Sequence, residues 1–288
     1  MLTRIDRVQI AVHDAEAASR GWIEILGAVP AGEDRVKGLG AIRRRLRIGT
    51  GWIEFLEPDG AGVVADAVGR RGPHLFAAGA ASPELDRLGA RLHARGAQPL
   101  AESGQLHLGE RDTGIPGLRL VLSEDVALPP VGFVDFLYEA TILSNDTQGV
   151  TRQMNELLGL DDSNYTEIVS ELFGYRGTLT LFEKDKLDRL EVIAPTKEGT
   201  TMERYFRRFG QSLYMAFAET SNMLVIEDCA RCLGVGFTVD RPEGRAAHLP
   251  ADQIWLHPAT LGGMMLGLSR PSMAWFWSGH PERVEAVA

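Results

Sequence analysis

The stretch IDRVQIAVHDAEAASRGWIEILGAVP, residues 5–30, decides the fold because a weaker copy of it, LYEATILSNDTQGVTRQMNELLGLDD, follows at residues 137–162. In each copy an alternating apolar segment is followed by an aspartate, Asp14 or Asp146, and then by a helical pattern that ends near a glycine. Alternation is typical of a strand with one buried face, and an aspartate before a helical pattern is typical of a helix N-cap. Two copies of one strand–helix unit predict a duplicated architecture.

The elements after each opening are repeated as well. The segments WIEFLEP, residues 52–58, and LEVIAP, residues 190–195, place Glu54 and Glu191 at corresponding points of two similar strands. A further strand and helix follow in each copy, and each copy then closes on hairpin strands. The pattern predicts an α+β fold in which paired βαβββ units form two curled mixed sheets with helices on the outside.

A joint between the two copies is predicted at residues 128–131, where Pro129 and Pro130 interrupt regular structure. A chain of 288 residues is long enough for two domains of ~140 residues, each with its own core. We therefore expect an N-terminal domain over residues 1–127 and a C-terminal domain over residues 132–275.

Composition excludes several classes of partner. The net charge of -9 argues against nucleic acid or an anionic membrane surface as the main partner. Only Cys229 and Cys232 are present, so a disulfide framework is excluded. The N-terminus has no apolar signal core and no segment approaches the ~20 apolar residues of a membrane span. The prediction is a cytoplasmic monomer or homodimer that acts on a small molecule.

Four segments carry a resemblance to a known family: IDRVQIAVHD, WIEFLEP, PHLFAA and WLHPATLGGMMLGL. They are similar, in this order, to the first, fourth, fifth and final strands of the vicinal oxygen chelate superfamily, which includes glyoxalases, bleomycin resistance proteins and extradiol dioxygenases. The resemblance extends from about Ile5 to Leu268. It implies a site at the centre of each curled sheet.

In that family each pair of units supplies four metal-ligand positions. The resemblance matches them to Arg7, Glu54, His74 and Val121 in the first domain and to Glu139, Glu191, Tyr214 and Gly267 in the second. Neither domain carries the family's full set. The two histidines and one glutamate of extradiol dioxygenases are not supplied, which disfavours a ring-cleaving iron enzyme.

Two arrangements of the polar positions remain open. A crossed pairing of units would join His74 to Glu139 and Glu191, a suitable set for Mn, Fe, Zn or Mg. Pairing within each domain would place Glu139, Glu191 and Tyr214 in one cavity and leave Glu54 with His74 in the other. The first trio could bind a divalent metal or perform acid–base chemistry without one. In either case Glu139 and Glu191 form a close acidic pair that needs a metal or a shared proton.

Three further residues are candidates for substrate binding. Arg7 replaces a metal ligand, so we expect it to pair with Glu54, leaving the first domain without a metal, or to bind an anionic substrate. In the run RRRLR, residues 43–47, alternation places Arg43, Arg45 and Arg47 on one face and Arg44 on the other. The run is typical of a charged outer face, and the alternative is that Arg44 reaches a substrate carboxylate or phosphate. His257 is expected at the mouth of a cavity.

The expected function is a metal-assisted isomerase, epimerase or lyase that acts on a small carbonyl compound or hydroxy acid through an enolate. Glu191, Glu139 and Tyr214 are the predicted catalytic residues, and a metal stabilising the oxyanion would involve His74, Glu139, Glu191 or Glu54. Two alternatives stay open, namely a binding protein of the resistance type and an atypical extradiol-type dioxygenase.

Overall fold

The protein is described by a computed structural model that covers residues 2–287. Within this range the chain forms two curled mixed sheets of eight strands each and seven α-helices, which confirms the predicted α+β fold. The strands of the N-terminal half are β1 (Arg4–Ala11), β2 (Val29–Val36), β3 (Ala41–Ile48), β4 (Gly51–Pro58), β5 (His74–Ser82), β6 (Leu100–Glu102), β7 (Gln105–Leu108) and β8 (Leu120–Glu124). Those of the C-terminal half are β9 (Phe136–Leu143), β10 (Thr166–Ser170), β11 (Tyr175–Leu181), β12 (Arg189–Pro195), β13 (Ser212–Glu219), β14 (Phe237–Asp240), β15 (Gln253–Leu256) and β16 (Met265–Ser269).

The helices follow the predicted repeat. They are α1 (Ala15–Leu26), α2 (Val63–Arg71), α3 (Leu85–Ala94), α4 (Glu110–Thr113), α5 (Thr147–Leu158), α6 (Thr201–Phe209) and α7 (Met223–Cys232). Asp14 caps α1 and Asp146 caps α5 by accepting backbone N–H bonds. Both helices end at glycines in the left-handed conformation, Gly27 and Gly159, where a side chain would be strained.

The two sheets have the same strand order. It is β2-β3-β4-β1-β5-β8-β7-β6 in the first and β10-β11-β12-β9-β13-β16-β15-β14 in the second. Each sheet is built from one half of the chain, so the units pair within a half and the crossed arrangement is wrong. The halves are referred to below by their sheets, and the concave face of each sheet is called its cup.

Strand register confirms that Glu54 and Glu191 are equivalent. In the first half β4 runs parallel to β1, with Glu54 opposite Gln9. In the second half β12 runs parallel to β9, with Glu191 opposite Thr141. Side chains two residues apart on a strand face the same way, so Arg7 and Glu139 also point into their cups.

A shared core joins the halves. Helix α1 packs against α7 and α3 against α5, and one apolar cluster contains residues from both sheets. Trp22 of α1 is fully buried, and its indole N–H donates to the carbonyl of Leu261 at 3.2 Å. At the seam between β1 and the start of β12, the N–H of Ile5 donates to Asp188 at 2.7 Å. The division of the chain at residues 128–131 therefore stays a prediction.

The length and apolar character of the helices decide whether any of them could span a membrane. None in the described part of the chain is long and apolar enough to cross a membrane.

Candidate active site

The cup of the C-terminal sheet contains a cavity of about 800 Å³. Its floor is acidic and its walls are largely aromatic. Residues that line it include Glu139, Glu191, Gln253, His257, Phe173, Tyr175, Tyr205, Tyr214, Phe217, Trp255, Phe276 and Trp277.

Two carboxyl groups share one hydroxyl on the cavity floor. The Thr141 Oγ1 lies 2.6 Å from Glu191 Oε2 and 3.3 Å from Glu139 Oε1. All three side chains are buried, with Glu191 only 4% exposed. The close acidic pair expected from the sequence is therefore present.

A buried guanidinium neutralises one member of the pair. The Nε of Arg189 donates to Glu139 Oε2 at 2.6 Å, and its Nη1 donates to Leu187 O and to Ser278 Oγ, both at 3.0 Å. Arg189 is fully buried, and its guanidinium lies 4.8 Å from the centre of the Tyr138 ring. The ion pair is enclosed on the cavity floor, and Arg189 is the charge partner of Glu139 there.

Sequence reasoning missed Arg189, although a signal was available. It precedes Glu191 by two positions on β12, so strand alternation alone places the two side chains on one face. From the sequence, a metal or a shared proton was expected as the partner of the acidic pair. The structure provides a third solution, an internal cation.

The second carboxyl of the pair behaves differently. Burial raises the pKa of Glu191 well above its ordinary value of 4.5, and the nearby charge of Glu139 raises it further. The hydrogen bond with Thr141 and the charge of Arg189 oppose this shift without reversing it. Glu191 thus keeps its proton at a pH where an exposed glutamate has lost it.

Tyrosines complete the polar part of the walls. Burial raises the pKa of Tyr214 to about 12 and, together with the charges of Glu191 and Glu139, raises that of Tyr175 further. Both phenols therefore remain hydrogen-bond donors at neutral pH. Tyr214 packs edge-on against Tyr205 of α6, with ring centres 4.8 Å apart.

His257 lies at the cavity mouth, as expected. Its Nε2 is 2.9 Å from Thr238 Oγ1, and the residue is half-buried. Its contact with a substrate stays a prediction.

The cup of the N-terminal sheet is closed over its own glutamate. Fully buried Glu54 accepts hydrogen bonds from Arg7 Nη1, Gln9 Nε2 and Gln105 Nε2, each at 2.8 Å, and Arg43 Nη1 lies 3.5 Å away. Burial acts to raise the pKa of Glu54, but the charges of Arg7 and Arg43 outweigh it and lower the pKa. The predicted Arg7–Glu54 pair is confirmed.

Most of the Arg7 guanidinium is engaged by protein groups in this arrangement. Its guanidinium also donates to Asp6 Oδ2 at 2.6 Å and to Ser123 Oγ at 2.8 Å, and the residue is 8% exposed. A substrate-binding role for Arg7 stays a prediction.

Helix α2 fills the remaining space of this cup. Its buried residues Val64, Ala67 and Val68 pack with Val36 and Phe76 in a compact apolar cluster. The N-terminal half therefore presents a packed core where the C-terminal half has a cavity.

The prediction for Arg44 put it on the wrong face. Arg44 points away from the cup and pairs with Glu33 at 3.0 Å near the surface. Arg43, expected on a charged outer face, is the residue that enters the cup, where it is 2% exposed and pairs with Asp34 at 2.6 Å. Strand alternation was correct, but it does not tell which face is concave.

His74 is not brought together with Glu139 and Glu191. It lines a separate pocket of about 630 Å³ between the halves, beside Arg71 and Tyr205. Its Nδ1 lies 2.7 Å from Gly72 O, and burial lowers its pKa to about 4.

The sequence resemblance had assigned His74 and Tyr214 to equivalent positions of β5 and β13, but the structure shows that this assignment was wrong by two residues. Ala77 lies opposite Gln9 and Met215 opposite Thr141, so β5 and β13 align with Ala77 on Met215. Tyr214 therefore corresponds to Phe76.

The residues of the C-terminal cup do not fit a divalent metal. No group of three or more His, Cys, Asp and Glu side chains with suitable geometry occurs within residues 2–287. On the floor, Glu139 is engaged by the Arg189 guanidinium, and Gly267 supplies no ligand. A side chain at Gly267 would also collide with the Phe217 ring, since a Cβ there would stand 2.2 Å from Cε1.

Comparison with known proteins supports the fold. No family model and no curated protein matches the chain. Among solved structures, a variant of 4-hydroxymandelate synthase from Streptomyces coelicolor is similar, with a TM-score of 0.71 and 14% identity over 98% of this chain and 99% of that chain. A fusion protein of a xylose isomerase-like TIM barrel and a 4-hydroxyphenylpyruvate dioxygenase has a TM-score of 0.64 and 13% identity over 94% of this chain and 49% of that chain. These likenesses show the fold and confirm the architecture that the sequence resemblance implied.

Proposed function

We propose that this chain, which has the vicinal oxygen chelate fold, is an isomerase, epimerase or lyase that transfers protons through Glu191 and Glu139 without a divalent metal. One observation carries the proposal. Two adjacent carboxyl groups face one cavity, one ion-paired with Arg189 and the other with a pKa that burial and its neighbour raise. Pairs of titratable groups held in different protonation states are typical of an acid and a base in one active site.

In the proposed reaction Glu191 is the acid. Its proton passes to a carbonyl oxygen of the substrate as negative charge develops there, and the Glu139 carboxylate takes a proton from the adjacent carbon. The product of these two transfers is a neutral enol. The enol O–H proton then returns to Glu191. Delivery of the Glu139 proton to a carbon of the enol gives isomerisation or epimerisation, whereas departure of a neighbouring leaving group with its bonding electron pair and the Glu139 proton gives a lyase reaction.

Other residues of the floor position these two groups. Thr141 hydrogen-bonds within the pair, and Arg189 holds Glu139 in one orientation. The Tyr214 hydroxyl remains a donor and is suited to bind a substrate oxygen. The aromatic walls exclude water, which strengthens each of these interactions.

A binding protein without catalysis is the second candidate. The apolar walls favour it, because they supply affinity for a ligand with no need for proton transfer. An extradiol-type dioxygenase is disfavoured, since His257 at the mouth is the one histidine among the cavity-lining residues described.

Exchange of substrate protons with solvent tests the proposal. The protein is incubated in deuterated water with a panel of aryl ketones and aryl hydroxyketones, and deuterium incorporation is followed by NMR. We expect incorporation that Glu191→Gln reduces by about 100-fold or more, the usual contribution of general acid–base catalysis. Glu24→Gln, on the exposed side of α1, is the matched control.

Metal dependence is measured in the same assay. Exchange that survives chelator treatment in a protein free of bound metal supports the proposal. Exchange lost with the chelator and restored by Mn²⁺ would disprove the metal-independent mechanism. Tight ligand binding with no exchange would identify a binding protein.

A further inference from the structure

We infer that the ligand of the C-terminal cavity is a bulky, uncharged, largely apolar molecule with one carbonyl or hydroxyl group, rather than a small hydroxy acid. The inference rests on the proposed function only in placing that oxygen beside Glu191 and Thr141. Size, charge and the surface around the mouth each support it.

The cavity is large for a small metabolite. Its volume of about 800 Å³ lies in the upper part of the range of roughly 300–1,000 Å³ for pockets that enclose drug-sized ligands. A hydroxy acid of a few carbon atoms would leave most of the walls uncovered, and the aromatic side chains would remain in contact with water.

The charges of the lining disfavour an anion. Glu139, Glu191 and Asp240 contribute to it, whereas no lysine or arginine is found among the described residues that line it. The guanidinium of Arg189, beside the acidic floor, is already paired with Glu139. A substrate carboxylate would be buried there without a partner, which is costly.

The apolar character continues outside the cavity. Within residues 2–287 eight large apolar side chains are exposed, and four of them border this one mouth: Val169 at 66%, Leu172 at 74%, Phe173 at 39% and Phe276 at 58%. We call these four residues the rim. Two of them, Leu172 and Phe173, lie in the turn between β10 and β11.

The rim extends the binding surface of the cavity. Phe173 contacts Trp255 of the wall, with ring centres 5.3 Å apart, so the apolar surface runs from the wall to the outside. A ligand whose oxygen reaches Glu191 and whose apolar body exceeds the cavity would cover this surface. Scattered exposed apolar residues need no explanation, but a cluster at the mouth of a cavity marks a binding site.

A graded set of ketones tests the inference by binding alone. Acetophenone, 2-acetylnaphthalene and 4-octylacetophenone carry the same oxygen group with increasing apolar area, and 4-acetylbenzoate adds a negative charge to acetophenone. Binding is followed by quenching of tryptophan fluorescence, because Trp255 and Trp277 line the cavity, and by calorimetry. We expect Kd to fall at least tenfold from acetophenone to each larger ketone and to rise at least tenfold for the benzoate.

Variants of the rim separate it from the cavity interior. The double variant Leu172→Ser/Phe276→Ser should weaken binding of 4-octylacetophenone at least fivefold and leave acetophenone unchanged. Both side chains are mostly exposed, so the fold should tolerate the change. Val225→Ser removes an exposed apolar side chain from α7, which lies outside the cavity lining, and should change neither affinity.

Three results would overturn the inference: equal affinity across the neutral ketones, tighter binding of the benzoate, or an unchanged affinity for the octyl compound in the rim variant. A dimer that the rim variant converts to monomer in analytical ultracentrifugation would show instead that a second copy covers the rim. Failure of the proposed function is distinguishable, since it appears as unchanged deuterium exchange in Glu191→Gln, and these binding measurements do not depend on exchange.

Discussion

The two halves of the chain share strand order and register, yet one cup is packed and the other is open. Glu54 receives hydrogen bonds from three side chains, including that of Arg7, and lies beneath the buried face of α2. Glu191, at the same register position, receives one hydrogen bond from Thr141 and faces a cavity. Position on the scaffold therefore does not decide whether a carboxyl group is structural or reactive. Its neighbours decide.

The turns and helices that cover the two cups also differ, since they are packed more tightly over the first cup than over the second. Glu102 fixes the turn after β2, because its carboxylate accepts hydrogen bonds from the N–H groups of Lys37 and Gly38 at 2.8 and 2.9 Å. Gly38 lies so close to Leu100 that a Cβ atom would stand 2.3 Å from its Cδ2. Above the other cup, α6 has no buried residue and the corresponding turn carries exposed Leu172. The elements over the open cup are therefore less tightly packed than those over the closed cup.

The largest effect should come from breaking the packed cup. Arg7→Ala leaves Glu54 and Asp6 without their shared cation in a buried site, which should lower the free energy of unfolding by about 3–5 kcal/mol. Urea denaturation measures the change. A variant that unfolds at the wild-type urea concentration would show that the ion pair does not stabilise this half.

A matched pair of substitutions should sharpen the comparison. Glu54→Gln removes the charge that binds Arg7 and should cost about 2 kcal/mol, the value of hydrogen bonds to charged groups. Glu191→Gln replaces a carboxyl group whose pKa burial raises and that accepts one side-chain hydrogen bond, so its cost should stay below about 1 kcal/mol. Urea denaturation at pH 7 compares them. Equal costs would mean that the two glutamates are in the same protonation state.

The two cups should also respond to pH in opposite directions. The pKa of Glu54 is lowered in the folded state, so its stabilisation is present above the unfolded value of 4.5 and is lost as pH falls through the folded value. The pKa of Glu191 is raised, so its contribution is present below 4.5 and is lost as pH rises through the folded value. Measured across pH, the stability of wild type relative to Glu54→Gln should rise with pH, and relative to Glu191→Gln it should fall. If both stability differences changed with pH in the same direction, the opposite pKa shifts of Glu54 and Glu191 would be contradicted.

The smallest effect should come from the contact between the halves above the open cup. Arg71 of α2 donates to the hydroxyl of Tyr205 on α6, and its guanidinium lies 5.2 Å from the Tyr205 ring centre and 4.6 Å from that of Phe209. Arg71→Lys weakens this stacking and should cost about 0.5–1 kcal/mol. Stopped-flow fluorescence with 2-acetylnaphthalene should show faster ligand release, by a few-fold. An unchanged release rate would show that α6 does not control access.

Much of this comparison was predictable from sequence. The duplicated strand–helix openings indicated two equivalent sheets, and the matching positions of Glu54 and Glu191 followed from them. The pairing of Arg7 with Glu54 followed from charge, since a cation at a ligand position repels a metal. These predictions depend on local pattern and on simple electrostatics.

The rest depends on packing that a single sequence does not reveal. The face on which Arg43 lies depends on the direction in which the sheet curls, which alternation does not specify. The place of His74 depends on the register of β5, which puts Phe76 and not His74 at the position that corresponds to Tyr214. Which cup is filled depends on how deeply α2 and α6 enter, a tertiary property of helices with similar positions in the repeat.

The hydrogen bond from Ile5 to Asp188 has a consequence for the reuse of this scaffold. Asp188 is buried at the seam, where burial raises its pKa to about 7, and it immediately precedes Arg189 in the chain. The start of the strand that carries Glu191 is thus tied to a backbone amide of the other half. The N-terminal half therefore supports the strand that forms the C-terminal site, and neither half can be exchanged as an independent module. A chimera that joins either half to a half of another protein would need an equivalent of the Ile5–Asp188 hydrogen bond before it could retain activity.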